Sequence, residues 1–537
     1  MVTSAVIINN IKLPVNASYK EAFSVARSKL AKLGVSTSGV RFSIYRRSVD
    51  ARHKDAIVFV YSVLAEVAGT VLEDDLARHG MSLLVRESPK IEIGSTPLSA
   101  SPVVVGSGPC GLFAALLLAE NGYNPILLER GGDVAERQHA VEILKKFRIL
   151  DSNTNIQFGA GGAGTFSDGK LVTRINDPMS AYVIERFIEF GAPEEIAYIA
   201  KPHIGTDILS KVVENMILRI EQLGGTVCFN TRFEGFDTCG GDIVGVRTSC
   251  GEIKTGAVIL AIGHSARDTY EYLFSHGVTV EAKPFSVGMR IEHLADDIDT
   301  ALYGSMAGNP KLGRAEYNVS YDTKNRGVYT FCMCPGGVVV PAASEEGGVV
   351  VNGMSYSSRD GVNSNSAVVC SIFKEDYGAT PAAAIEFQRK IERAAFAAGG
   401  SDYSAPMITV GDFFDGVAKT SPKRVIPSYM NGDGTKIAQP TEYLPGNIAS
   451  QIKNAIGFFD KKINGFAVRD AVLTGPETRT SAPVRITRNS ETRLAIGYNN
   501  LYPSGEGAGY AGGITSAAID GIRSAMALIK VFAPHHG

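Results

Sequence analysis

Residues 103–129 read VVVGSGPCGLFAALLLAENGYNPILLE. A β-branched run, Val103 to Val105, leads into Gly106-Ser107-Gly108-Pro109-Cys110-Gly111, and an apolar helical segment follows from Leu112 to about Asn121. Gly122 stops the helix, Pro125 to Leu128 reads as a second strand, and Glu129 closes it. This is a β-α-β unit carrying a dinucleotide fingerprint. Gly106 allows the tight turn out of the strand. Gly108, lacking a Cβ, lets the backbone approach a diphosphate, and Gly111 lets the helix pack close to the sheet. The helix N-terminus offers free N–H groups and the positive end of its dipole to the phosphates. Glu129 is placed to accept hydrogen bonds from ribose hydroxyls.

The glycine spacing alone decides little, because 58 of 537 residues are glycine. The same spacing recurs at Gly159–Gly164, with no strand before it, and at Gly507–Gly512. What singles out 106–111 is the strand before, the helix after, the second strand and the acid at its end.

Composition sets the outer bounds. The chain is 45% hydrophobic and 20% charged with a net charge of −2, values of a globular protein with no general affinity for polyanions. No apolar run is long enough to span a membrane. The first residues, MVTSAVIINNIKLP, lack the basic-then-apolar layout of a signal peptide. Seven scattered cysteines fit a reducing environment, so a cytoplasmic setting is expected.

Residues 1–97 read as a separate small α/β domain. Ala5–Leu13, Arg41–Tyr45 and Ala56–Leu64 have strand character, and Ser18-Tyr19-Lys20-Glu21 is a capping box opening an amphipathic helix. The basic cluster Arg46, Arg47, Arg52, His53, Lys54 is either an anion or nucleic-acid contact or a solvated strand edge. Gly94–Ser101 reads as a linker. A nucleotide-binding domain follows over 98–284, with helical periodicity at Ala135–Leu150, Ser180–Phe190 and Asp207–Leu223, and strands at Thr226–Asn230, Ile243–Ser249 and Gly256–Ile262. Cys228, Cys239 and Cys250 lack the closely paired spacing of a metal site, and no metal is expected. Residues 285–470 are richer in Gly, Ser, Asn, Tyr and Val and read as an inserted β-rich substrate domain. Residues 471–537 return to the nucleotide-binding domain.

Two further segments separate a flavin from a nicotinamide dinucleotide. In TGAVILAIGHS (255–265) a buried strand ends in small residues that leave room for a cofactor beside the backbone. In LYPSGEGAGYAGGIT (501–515) a Gly-acid pair is followed by glycines that open a helix. Glu506 can bond a polyol there, and the helix start near Gly513 and Ile514 can face the pyrimidine end of a flavin, whose reduced form is anionic.

Together, GSGPCG, LLERG, TGAVILAIGHSARD and SGEGAGYAGGITSAAIDG resemble the flavoproteins with two dinucleotide-binding domains, and more closely the bacterial family of uncharacterised FAD-dependent dehydrogenases. SVDARHK (48–54), QFGAGGAGTFSDGKL (157–171), KPHIGTD (201–207) and TFCMCPGG (330–337) extend the resemblance over nearly the whole chain. It implies an α/β fold: a Rossmann-like FAD-binding domain, an inserted β-rich α+β substrate domain, and a small ferredoxin-like N-terminal domain. It implies non-covalent FAD, with Gly106, Ser107, Gly108, Pro109, Gly111, Glu129 and Arg130 at the ADP half and Phe233 at adenine. Ala261 and Gly263 fall by the diphosphate, Gly505, Glu506, Gly513 and Ile514 along the ribityl and flavin, and Gly162, Thr165, Phe166 and Ser167 at the isoalloxazine. No second β-α-β fingerprint for a nicotinamide is evident, which leaves NADH or NADPH as an external donor only.

The catalytic candidates are few. Cys332 and Cys334 alternate in a strand-like stretch and would share a face; a redox role stands against simple packing around the Pro335-Gly336-Gly337 turn. His203 is a general-acid candidate, or merely a residue before the Asp207–Leu223 helix. The leading expectation is an FAD-dependent oxidoreductase acting on a small molecule. The alternatives are a flavin-dependent RNA-modifying protein, suggested by the basic N-terminal domain, and a non-catalytic flavin redox sensor.

Overall fold

In the computed structural model, residues 3–68, 73–172, 177–323 and 326–535 are described. At the centre is a five-stranded parallel sheet in the order Leu501–Pro503, Val258–Leu260, Val103–Val105, Ile126–Leu128, Thr226–Cys228. Its four strands from Leu501–Pro503 to Ile126–Leu128 are apolar because both faces are covered, while the edge strand Thr226–Cys228 is partly exposed. Val104, Leu127, Ile259 and Tyr502 enter the core under the helices Pro109–Glu120, Thr206–Gln222 and Ile514–Val531. Their neighbours Val103, Val105, Leu128, Val258, Leu260 and Leu501 enter a second core on the other face. That face is closed by a three-stranded antiparallel sheet, Phe233–Cys239, Asp242–Thr248 and Gly251–Lys254, and by the helix Arg267–Ser275.

The helix Pro109–Glu120 has no polar face: every residue from Cys110 to Ala119 is buried. It lies against Ile514–Val531, and the two backbones cross so closely that a Cβ at Gly521 would overlap the Cys110 carbonyl oxygen.

A seven-stranded sheet forms the second large unit, in the order Ser320–Asp322, Gly327–Cys334, Asn363–Ile372, Phe285–Leu294, Val472–Glu477, Ala405–Thr409, Thr435–Ile437. Its spine is the ten-residue antiparallel pairing of Phe285–Leu294 with Asn363–Ile372. Val472–Glu477 lies within this sheet, so the sheet extends past residue 470, where the sequence reading places the return to the nucleotide-binding domain. The cause is non-local pairing: Leu473 sits opposite Ile291, and no local pattern in 471–480 carries that information.

Residues 3–68 and 73–83 make a β-α-β-β-α-β unit with sheet order Arg41–Asp50, Val58–Ala68, Thr3–Pro14, Met81–Leu83, all antiparallel. The helix Tyr19–Ala31 opens with the capping box read from Ser18 and Glu21. Gly94–Ser101 is not a free linker. Thr96–Pro97 pairs in parallel with Phe532–Ala533, and the Gly94 N–H donates to the Ile529 carbonyl at 2.8 Å. No described helix is long and apolar enough to cross a membrane.

Candidate functional site

A cleft of about 850 Å³ runs along the carboxyl ends of the parallel strands and under the edge of the seven-stranded sheet, the place where open α/β sheets take ligands. One end is built by the turn after Val103–Val105. Gly106 has φ +101°, a conformation glycine adopts without strain, and a Cβ there would overlap the Ala261 carbonyl oxygen. Gly108 faces the cleft; a Cβ on it would meet nothing nearer than the Gly162 Cα at 3.9 Å. Pro109 occupies the first helical turn, where its missing N–H costs nothing, and it also lines the cleft. Gly111 does not reach the cleft and serves the packing beneath it, since a Cβ would overlap the Gly106 carbonyl oxygen.

Glu129 has more partners than the sequence indicates. One carboxylate oxygen accepts from the Ser107 N–H (3.0 Å) and hydroxyl (2.6 Å), the other from the N–H groups of Gly131 (3.0 Å) and Gly159 (2.9 Å). It thereby ties three loops together at the cleft wall. Ser107 is fully buried by this contact and does not line the cleft. Arg130 does line it, paired with Asp268 at 3.0 Å and stacked over Phe158 at 4.2 Å. Phe233 stands nearby, packed on Phe236 and Tyr272.

Ala261 and Gly263 form part of the floor, and His264 follows them in the cleft wall. Burial first, then the guanidinium groups of Arg479 and Arg267, push the His264 imidazole down to about 3, so it is neutral at pH 7. Its Nδ1 lies 2.9 Å from the Ser265 hydroxyl. His264 was not singled out from sequence; its position directly after the small-residue strand end was the available signal.

At the far end, Glu506, Gly513 and Ile514 line the cleft. Gly513 precedes the helix Ile514–Val531, whose first N–H groups have no side-chain cap. Among the described residues the Glu506 carboxyl receives no hydrogen bond, and burial pushes it up to about 7. Gly505 lies behind it, its N–H donating to Asp520 at 2.7 Å, while Asp520 is clamped by Arg488 and Arg493. Gly162 and Ser167 border the cleft, but Thr165 and Phe166 do not. The Thr165 carbonyl accepts from the Thr206 hydroxyl, and Phe166 lies under the Arg137 guanidinium at 4.7 Å.

Cys332 lines the cleft, whereas Cys334 is fully buried. They do not share a strand face by simple alternation. Phe331 pairs with Ala367 and Cys334 with Asn365, so the strand carries one extra residue between them. His203 lies outside the cleft lining. It bridges to Lys170 and lies 3.4 Å from the Ser357 carbonyl, and burial lowers its pKa.

Of the basic N-terminal cluster, Arg47 packs inward while Arg46, Arg52, His53 and Lys54 are exposed. The Arg47 guanidinium lies over the Phe59 and Tyr198 rings, and its backbone bonds Tyr198 and Ala200. Arg52 forms a two-point pair with Asp50. No group of three His, Cys, Asp or Glu side chains gathers as a metal site among the described residues.

Comparison with known proteins places these features in context. Residues 284–480 match the family described as the C-terminal domain of FAD-dependent proteins, and residues 6–66 match a domain of unknown function. An uncharacterised protein of Clostridium beijerinckii is 45% identical over 539 residues, covering 98% of this chain and 99% of its own. Among solved structures, L-amino acid deaminase from Proteus vulgaris matches 84% of this chain and 97% of its own at 13% identity and TM-score 0.33. Glycine oxidase from Bacillus cereus matches 80% and 94% at 8% identity and TM-score 0.33. CtdE in complex with FAD matches 80% and 83% at 12% identity and TM-score 0.31.

Proposed function

This chain belongs to one family with the uncharacterised Clostridium beijerinckii protein, and from that footing we propose that it is an FAD-dependent oxidoreductase acting on a small-molecule substrate. The observation that carries the reading is the Glu506 carboxyl. It lies on the wall of an 850 Å³ cleft, receives no hydrogen bond from described residues and is held near neutrality by burial. A half-buried carboxyl without hydrogen-bond donors is costly, and the ribityl hydroxyls of FAD are donors of the kind it lacks. The other end of the cleft fits the same ligand. There the Gly106–Gly108 turn and an uncapped helix start leave room and N–H groups for a diphosphate.

FAD, when bound, supplies the two-electron chemistry. The protein's part is to bind, orient and exclude water. Among the cleft-lining residues, Arg130 and Phe233 would hold the adenosine end, Ala261 and Gly263 would leave room for the diphosphate, and Gly513 and Ile514 would offer helix N–H groups to the pyrimidine end. His264, kept neutral at pH 7 because burial and the nearby guanidinium groups disfavour its charged form, offers an uncharged hydrogen-bonding ring to the cleft. NADH or NADPH enters this reading as an external donor. The RNA-modifying alternative has less support, because Arg47 packs on the Phe59 and Tyr198 rings, Arg52 is paired with Asp50, and the chain carries a net charge of −2.

The test is anaerobic titration of the purified protein. It should be yellow, release FAD on denaturation, and bleach with an added two-electron donor such as NADH or NADPH. A colourless protein that takes up no FAD refutes the proposal.

A further inference from the structure

The strand Gly327–Cys334 holds a local distortion that the proposed function does not use. Cys332, at the extra residue of the bulge, has φ +43°. A non-glycine residue in the left-handed region is strained, and such strain gathers where a side chain must be aimed. The effect is to present Cys332 to the cleft while Cys334, two residues on, stays fully buried behind it. Cys334 Sγ lies 3.4 Å from the Cys332 carbonyl oxygen, and its side chain is within hydrogen-bonding reach of the Cys332 side chain. A single guanidinium serves both residues: Arg290 Nη1 lies 2.9 Å from the Cys332 carbonyl oxygen and 3.8 Å from Cys334 Sγ. Arg290 is held in place by Glu477 through two contacts, Nε–Oε2 at 2.5 Å and Nη2–Oε1 at 3.0 Å. Lys170 adds a second cation, bonded to the Met333 carbonyl between the two cysteines.

We propose that Cys332 and Cys334 form a redox-active dithiol that exchanges with a small-molecule disulfide entering the cleft, Cys332 attacking and Cys334 resolving. The two thiols differ in the sense this requires. Hydrogen bonding from Cys334, with the charges of Arg290 and Lys170, holds the Cys332 thiol well below the usual range. The bond to Cys332 and burial push Cys334 up, so it keeps its proton. An attacking thiol must be ionised and reachable, and a resolving thiol need only be adjacent.

The exchange balances as follows. The Cys332 thiolate attacks one sulfur of RS–SR; that bond breaks, one RS⁻ leaves and is protonated by solvent. Cys334 gives up its proton and attacks Cys332 Sγ, the mixed disulfide breaks, and the second RS⁻ leaves with that proton as RSH. The dithiol has lost two electrons and the substrate disulfide has become two thiols. Returning the protein to the dithiol takes two electrons and two protons from a two-electron donor. Reduced flavin in the same cleft is that donor if the proposed function holds; only this return step rests on that reading.

The test uses the full chain, reduced, freed of reductant and mixed anaerobically with oxidised glutathione. Tryptic peptide 327–359 contains Cys332 and Cys334 and no other cysteine. In the wild type this peptide should become two hydrogens lighter, as an internal disulfide. Cys334→Ser should instead accumulate glutathione at Cys332, and Cys332→Ser should leave Cys334 unmodified. Alkylation of Cys332 by iodoacetamide should stay level between about pH 6 and 8, where an ordinary thiol speeds up about tenfold per unit. The proposal is overturned if the wild-type peptide forms no internal disulfide, or if Cys332 alkylation follows the ordinary thiol profile. Both measurements need only the wild type, so a poorly folding variant does not shield the idea. Failure to bind FAD with a normal exchange reaction would refute the flavin reading alone.

Discussion

Replacing Glu506 by glutamine tests the cleft without any ligand. In the folded apoprotein burial raises the carboxyl from 4.5 to about 7. The folded chain therefore holds a proton that the unfolded chain has released between those values. Stability is unaffected by this group below about pH 4.5, falls as pH rises toward 7, and levels off above. Each unit is about 1.4 kcal/mol, so the shift of about 2.5 units from 4.5 to about 7 costs the folded state about 3 kcal/mol at pH 8. Glu506 is partly open to the cleft, and water there makes this an upper figure. Glutamine keeps the size and removes the titration. Urea unfolding of FAD-free wild type and Glu506→Gln at several pH values between 4.5 and 8.5 should give curves that meet at low pH and diverge above it. The variant should be the more stable by up to about 3 kcal/mol at pH 8. Adding FAD should reverse the order, because hydroxyl donors to the ionised carboxylate favour the wild type. Parallel pH profiles for the two proteins would refute the reasoning.

Four other substitutions test packing and binding. Gly108→Ala places its Cβ in open space, so stability should change by no more than about 0.5 kcal/mol while FAD retention falls. Gly111→Ala meets the Gly106 carbonyl and should lower the unfolding midpoint whether or not FAD is present. Glu129→Ala strands the N–H groups of Ser107, Gly131 and Gly159; at about 1–3 kcal/mol per orphaned donor, thermal unfolding of the apoprotein should show a loss of several kcal/mol. Arg290→Met leaves Glu477 buried without its cation, and chemical denaturation should register a loss of about 3–5 kcal/mol, partly restored by Glu477→Gln in the same chain.

What could be read from the chain follows the range of the interaction. The unit at 103–129 was legible because its turn, helix and two strands are adjacent in sequence and each glycine answers a local constraint. Glu506 was legible for the same reason, lying seven residues before the helix mouth at Gly513. The four bonds of Glu129 were not, since they gather donors from residues 107, 131 and 159. Nor was the placement of Val472–Glu477 beside Phe285–Leu294, which depends on pairing across nearly the whole inserted unit. The cysteine pair looked like ordinary alternation because a bulge has no residue signature of its own. Thr165 and Phe166 were expected at the cleft, but neighbouring Gly162 and Ser167 face it while these two turn inward beneath Thr206 and Arg137.

The interleaving of the parallel sheet bears on how the molecule comes into being. Val103–Val105 lies between strands that follow it immediately and long afterwards, and the edge strand Leu501–Pro503 arrives nearly 400 residues later. During synthesis the N-terminal unit can complete its four-stranded sheet early, because the ladders between its own strands need no later segment; only the bonds of the Arg47 backbone to Tyr198 and Ala200 come afterwards. The oily helix Pro109–Glu120 must wait, with one flank uncovered, until Ile514–Val531 leaves the ribosome. Such late closure slows folding and exposes the nascent chain to aggregation, so acquisition of any coenzyme belongs to the last moments of maturation rather than to its beginning.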